Sequence, residues 1–144
     1  MLSVDPTVAP RGATCNSATA AIPRILLVDD EPSILRSLAR AFRALRPSWH
    51  VRVAENGSEA LCHLERVPYD AVVTDLEMPV LDGIGLLQRM RSEHPKVIRL
   101  VHSSRIETDG PERLGSLAQG ALAKPAHPDR LIQLIESALA QQAA

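Results

Sequence analysis

The sequence predicts an α/β domain built on a parallel sheet, with helices packed on both faces. Three observations lead there. Short aliphatic runs alternate along the chain with stretches of helical period. The runs are bounded by turn residues and polar groups, as buried strands are. Aromatic residues make up only 2% of the 144 residues, so a core has to come from Leu, Ile, Val and Ala. Strands alternating with helices imply right-handed crossovers, and the arrangement expected is flavodoxin-like and doubly wound, five strands in the order 2-1-3-4-5.

Residues 1–22 carry Pro6, Pro10 and Gly12 among many Ser, Thr and Ala, with no hydrophobic period. That composition cannot offset the entropy of ordering, so a flexible tail is expected, followed by one folded domain over 23–142. Arg24–Val28 reads as a buried first strand ending in Asp29, Asp30 and Glu31. Pro32 suits the first turn of a helix in which Leu35, Leu38, Ala39, Phe42 and Leu45 form an apolar stripe. Arg36, Arg40, Arg43 and Arg46 form a basic stripe outside it, either a solvated face or a docking surface for an acidic partner. Pro47 stops this helix, and Trp49–Ala54 alternates like a half-exposed strand. Glu55, Asn56 and Gly57 make a turn into a second helix from Ser58 to about Arg66, with Ala60, Leu61 and Leu64 inward.

Pro68 ends that helix, and Ala71–Thr74 forms a central strand that delivers Asp75 to its carboxyl end. Pro79, Asp82 and Gly83 turn the chain into a third helix reaching about His94, its apolar face set by Ile84, Leu87 and Met90. Val97–His102 is a fourth strand ending at Ser103 and Ser104. Between Arg105 and Gln119 the pattern is weak. Proline in a helix interior costs about 3 kcal/mol, so any helix there starts near Pro111 and is short. Ala121–Ala123 is a brief fifth strand ending at Lys124 and Pro125. Leu131, Ile132, Leu134, Ile135, Ala138 and Leu139 mark a last amphipathic helix.

Apolar content of 45%, 23% charged residues and a net charge of −1 fit a globular domain and give no electrostatic case for nucleic acid or an anionic membrane. No apolar stretch approaches the roughly 18 residues of a membrane span. Nor does the N-terminus read as a signal peptide, so a cytoplasmic location is expected. Cys15 and Cys62 lie far apart without ligand spacing and read as free thiols. His50, His63, His94, His102 and His127 fall on different elements and make no zinc site.

In a parallel sheet the carboxyl ends of the strands share one edge. Asp29, Asp30, Asp75, Ser103 and Lys124 therefore meet in one shallow pocket. Three close carboxylates repel, and a single ammonium does not balance them. A divalent cation bound by oxygens does, Mg²⁺ fitting best; the other reading is an ion-pair network at the sheet edge.

Three stretches then carry a family resemblance: Ile25-Leu26-Leu27-Val28-Asp29-Asp30-Glu31-Pro32, Thr74-Asp75-Leu76-Glu77-Met78-Pro79 with Asp82-Gly83, and Lys124-Pro125. In this order and spacing they resemble the receiver domains of two-component response regulators, from about Arg24 to Ala140; Asp30-Glu31-Pro32-Ser33-Ile34-Leu35 and Leu122-Ala123-Lys124-Pro125 resemble more loosely the receivers fused to HD-type output domains. The resemblance implies that Asp75 takes a phosphoryl group from a phosphohistidine of a sensor histidine kinase or phosphotransfer protein. It implies Mg²⁺ held by Asp30, Asp75 and the backbone carbonyl of Glu77, with Asp29 acting through a water. Lys124 would pair with a phosphate oxygen, and Ser103 would donate its hydroxyl to another, pulling its loop inward. The Lys124-Pro125 bond is expected to be cis. The chemistry is self-directed, so this is a signalling module rather than an enzyme, acting on a downstream protein or an output domain. The alternative is a pseudo-receiver that keeps the fold and works by constitutive contact.

The sequence departs from the family pattern in places. Receivers usually carry Tyr or Phe in the fifth strand, where this chain has Ala121. Ser104 replaces a usual Ala or Gly, and Gly110-Pro111 interrupts the fourth helix. Glu77 and Arg105 occupy positions that in receivers flank the water hydrolysing the acyl phosphate; an ion pair between them would shield the phosphate, and the other reading is two independent solvated side chains.

Overall fold

The computed structural model describes residues 22–106 and 114–143. The expected tail, apart from Ile22, and the short helix expected near Pro111 lie outside these residues, as does Cys15; Cys62 is a free thiol. In chain order the elements are β1 (Arg24–Val28), α1 (Pro32–Leu45), β2 (His50–Ala54), α2 (Gly57–Arg66), β3 (Ala71–Thr74), α3 (Gly83–Glu93), β4 (Ile98–Ser103), β5 (Gly120–Ala123) and α4 (Pro128–Ala143). The sheet runs β2-β1-β3-β4-β5, which is the 2-1-3-4-5 order, and every pairing is parallel. The register puts Val28 beside both Ala54 and Thr74, and Thr74 beside Val101, so β1, β2 and β3 end at one level and β4 runs two residues further, to Ser103.

Both faces are covered. On one, Ile25, Leu27, Val73, Ile98 and Leu100 pack against Leu35, Leu38 and Phe42 of α1 and Leu131, Ile132 and Ile135 of α4. On the other, Leu26, Val28 and Val72 meet Ala60, Leu61 and Leu64 of α2 and Leu86 and Met90 of α3. Alternate strand residues thus serve opposite cores, which is why β1 and β3 read as aliphatic runs, whereas β4 buries Arg99, His102 and Ser103 among its aliphatic residues. Caps fix the helix starts: Asn56 Oδ1 accepts from Glu59 N at 2.8 Å, and Asp82 Oδ1 from Gly85 N at 2.8 Å.

Three details differ from the sequence reading. Leu45, expected on the α1 stripe, is 40% exposed, and Leu86, not expected inward, is fully buried. Arg46 leaves the basic stripe. It is half-buried, its Nε lies 2.8 Å from Glu136 Oε2 of α4, and its guanidinium sits over the Trp49 ring at 5.9 Å. Among the described residues no helix is long and apolar enough to cross a membrane.

Candidate functional site

The strand ends deliver the acids. Asp29 follows β1 and is 3% exposed; Asp75 follows β3 and is 7% exposed; Asp30 stands in the open beside them. One carboxylate oxygen from each lies within 4.8 Å of the others. Backbone donors hold the buried pair in place. Asp29 Oδ1 accepts from Glu31 N at 3.0 Å, and Asp75 Oδ1 accepts from Leu76 N at 2.7 Å and, at the limit of a hydrogen bond, from Glu77 N at 3.5 Å. The Thr74 hydroxyl donates to the Asp75 carbonyl at 2.8 Å.

Lys124, just past β5, brings the cation. Its Nζ lies 2.7 Å from Asp29 Oδ2 and 3.1 Å from Asp75 Oδ2. The Lys124-Pro125 peptide is cis, as expected. Burial pulls the Lys124 pKa down, yet the hydrogen bonds to Asp29 and Asp75 and their charges outweigh burial and raise it, so the ammonium stays charged. Asp30 moves the wrong way for an acid meant to ionise. Desolvation first, then the charges of Asp29 and Asp75, raise its pKa against the opposing pull of a backbone hydrogen bond. Ionised, the three carboxylates leave an excess of two negative charges over Lys124. The donor set is all oxygen and clustered, the chemistry a hard divalent cation such as Mg²⁺ requires.

Ser103 is fully buried as the last residue of β4, and its Oγ accepts from Arg105 N at 3.2 Å, within its own loop. Its carbonyl accepts from Lys124 N at 3.0 Å, tying β4 to β5 at the level of the acids. Arg105 Nη1 lies 3.2 Å from Glu77 Oε2, both side chains about half exposed. Ala121 is half-buried against the cluster of Leu76, Leu87, Val101, Leu114 and Leu117.

One neighbour carried no sequence signal. His102 is 6% exposed and its buried Nε2 has no hydrogen-bond partner among the described residues. Burial, then the charge of Lys124, lower its pKa, although Asp29 and Asp75 pull upward. The imidazole therefore stays neutral beside the site. The sequence placed His102 on a strand, but the six residues of β4 are all buried, so no alternation marks its face.

Comparison with known proteins bears on the same residues. Residues 25–136 match the family model described as response regulator receiver domain. The transcriptional regulatory protein PrrA of Mycobacterium leprae is 34% identical over 125 residues, covering 85% of this chain and 52% of that protein. Other curated relatives are longer still; the chain spans 26% of the regulatory protein AtoC of Escherichia coli, at 37% identity over 85% of this chain. Among solved structures, a CheY-like receiver domain protein of Methanospirillum hungatei superposes with a TM-score of 0.79 at 22% identity, over 85% of this chain and 98% of the other.

Proposed function

The chain belongs to the response regulator receiver domain family, and from that premise we propose that it accepts a phosphoryl group on Asp75 from a phosphohistidine donor, a sensor histidine kinase or phosphotransfer protein. The observation that carries this reading is the setting of Asp75. It is a buried carboxylate at the end of the central strand, fixed at one oxygen by Leu76 N and paired at the other with Lys124 Nζ. A carboxylate oxygen of Asp75 attacks phosphorus, a new O–P bond forms, and the P–N bond breaks with its electron pair passing to the imidazole. Lys124, already aimed at Asp75 Oδ2, takes up a phosphate oxygen without a search for position. Asp29, Asp30, Asp75 and the backbone carbonyl of Glu77 are the groups that would hold Mg²⁺. That ion supplies neutralisation of the transferring group's oxygens.

The Ser103 hydroxyl turns to a phosphate oxygen after transfer, and the loop through Arg105 moves with it. The Glu77–Arg105 ion pair, at the positions that flank the hydrolytic water in receivers, slows water's attack on the acyl phosphate. Downstream, a partner protein or an output domain reads the change; the relatives PrrA and AtoC are both longer than the matched region. The test is phosphoryl incorporation from acetyl phosphate with Mg²⁺, in wild type, Asp75→Ala, and wild type with EDTA. A labile adduct that needs both Asp75 and the cation is expected. No adduct under conditions that label an ordinary receiver would leave the pseudo-receiver reading in its place.

A further inference from the structure

The helix α1 has two flanks. One faces α4 and the acidic pocket; the other overhangs β2, the outer strand of the sheet. Between α1 and β2 runs a groove of about 410 Å³. Buried Leu35 and Ala39 and half-buried Val53 form its base. Arg36, Arg40 and Arg43 stand exposed along its rim at helical spacing, about 10 Å from first to last at 1.5 Å per residue. Arg36 and Arg40 have no ion pair or hydrogen bond among the described residues, and Arg43 donates one hydrogen bond, to the Val51 carbonyl at 3.1 Å. A positive rim over an apolar base, with no carboxylate paired to it, is complementary to an amphipathic acidic segment.

We propose that this groove docks an acidic amphipathic helix of a partner protein, with carboxylates at i, i+4 and i+7 meeting Arg36, Arg40 and Arg43 and aliphatic side chains packing on Leu35, Ala39 and Val53. Strand addition to β2 is disfavoured because its outer edge is already engaged: Arg43 covers the Val51 carbonyl, and Glu59 Oε1 takes the Glu55 N–H at 2.7 Å. A long polyanion such as nucleic acid is disfavoured too. Exposed Asp30 and Glu31 adjoin Pro32 at one end of the groove, and Glu55 lines it, so acids bound the basic stretch. The occupant does not use Asp75, and its binding is independent of phosphorylation.

The test is fluorescence anisotropy with a labelled helical peptide carrying Glu at i, i+4 and i+7 and Leu between, titrated with the unphosphorylated chain. Arg36→Glu/Arg40→Glu, checked for folding by circular dichroism, is expected to lose on the order of tenfold in affinity. The same double variant is expected to gain affinity for a peptide with Lys in place of Glu. Wild-type binding should weaken with salt. Equal binding of the Glu peptide by wild type and the double variant would overturn the proposal. So would a duplex oligonucleotide that binds wild type as tightly as the peptide.

Discussion

Asp30 stands exposed beside two buried carboxylates, and desolvation together with Asp29 and Asp75 raises its pKa above 3.8. The unfolded chain releases that proton near 3.8, the folded chain only at higher pH, so the cost of ionising it grows as pH rises through that window and is complete above it. Asp30→Asn is therefore expected to stabilise the cation-free protein at neutral pH in urea melts, by less than about 1 kcal/mol because the group is solvent-screened. The gain should vanish towards the acid end of the window. Added Mg²⁺ should stabilise wild type more than the variant. His102 has the opposite chemistry and a related consequence. Its folded pKa lies below 6.5, so on acidification from there the unfolded chain binds a proton that the folded chain refuses, and stability falls with pH. His102→Leu should show a smaller loss of denaturation midpoint between neutrality and about pH 5. For the exposed Glu77–Arg105 pair, worth at most about 1 kcal/mol, replacing both by Ala should speed loss of the phosphoryl group by up to about fivefold. An unchanged rate would remove the shielding role.

At the scale of elements, the loop from Asp75 to Gly83 is built at close quarters. Gly83 N donates to the Leu76 carbonyl at 2.9 Å, and a Cβ at Gly83 would come within 2.6 Å of Leu76 Cα and collide with the Asp75 carbonyl. Both contacts are backbone and cannot swing aside. Gly83→Ala is expected to cost about 1–3 kcal/mol in chemical denaturation and to slow labelling of Asp75, since α3 must back away from the acceptor strand. Within the same loop Val80 sits at φ 73°, with Leu81 N bonded to the Pro79 carbonyl at 2.9 Å. That is a γ-turn in a region β-branched residues avoid, and the side chain is 83% exposed. The sequence marked the turn through Pro79, Asp82 and Gly83 but could not announce Val80, because nothing in a valine signals a left-handed backbone. Strand ends were legible for a simple reason: a carboxylate or lysine interrupting an aliphatic run stands out. Helix faces were less so. Leu45 lies on the α1 stripe by period yet is exposed, since the last turn of α1 is where the chain leaves the sheet towards Pro47. Leu86 and Leu87 differ by one position, and period alone chose only the second.

Across the whole molecule, a receiver phosphorylated on Asp75 as proposed has to pass the change on without the aromatic residue that Ala121 replaces. The structure offers a continuous aliphatic path. Leu76 follows Asp75 directly, Val101 lies two residues before Ser103, and both belong to the buried cluster that holds Leu87, Leu114 and Leu117, with Ile106 and Ala121 packed against it. Ile106 and Leu114 are the described residues bounding 107–113, so one end of this cluster adjoins Asp75 through Leu76 and the other reaches the approach to β5. Movement of the Ser103 loop towards a phosphate would shift Val101 and Ile106 together, and a close-packed cluster transmits such a shift because it has no free volume to absorb it. Hydrogen exchange with acetyl phosphate and Mg²⁺ should therefore show increased protection from Leu114 to Ala123 in wild type. In Leu114→Ala, expected to be destabilised by about 2–3 kcal/mol but still labelled on Asp75, that change should be much reduced. The same protection gain in both proteins would show that the signal bypasses the cluster. Absence of any gain in phosphorylated wild type would confine the effect of phosphorylation to the pocket itself.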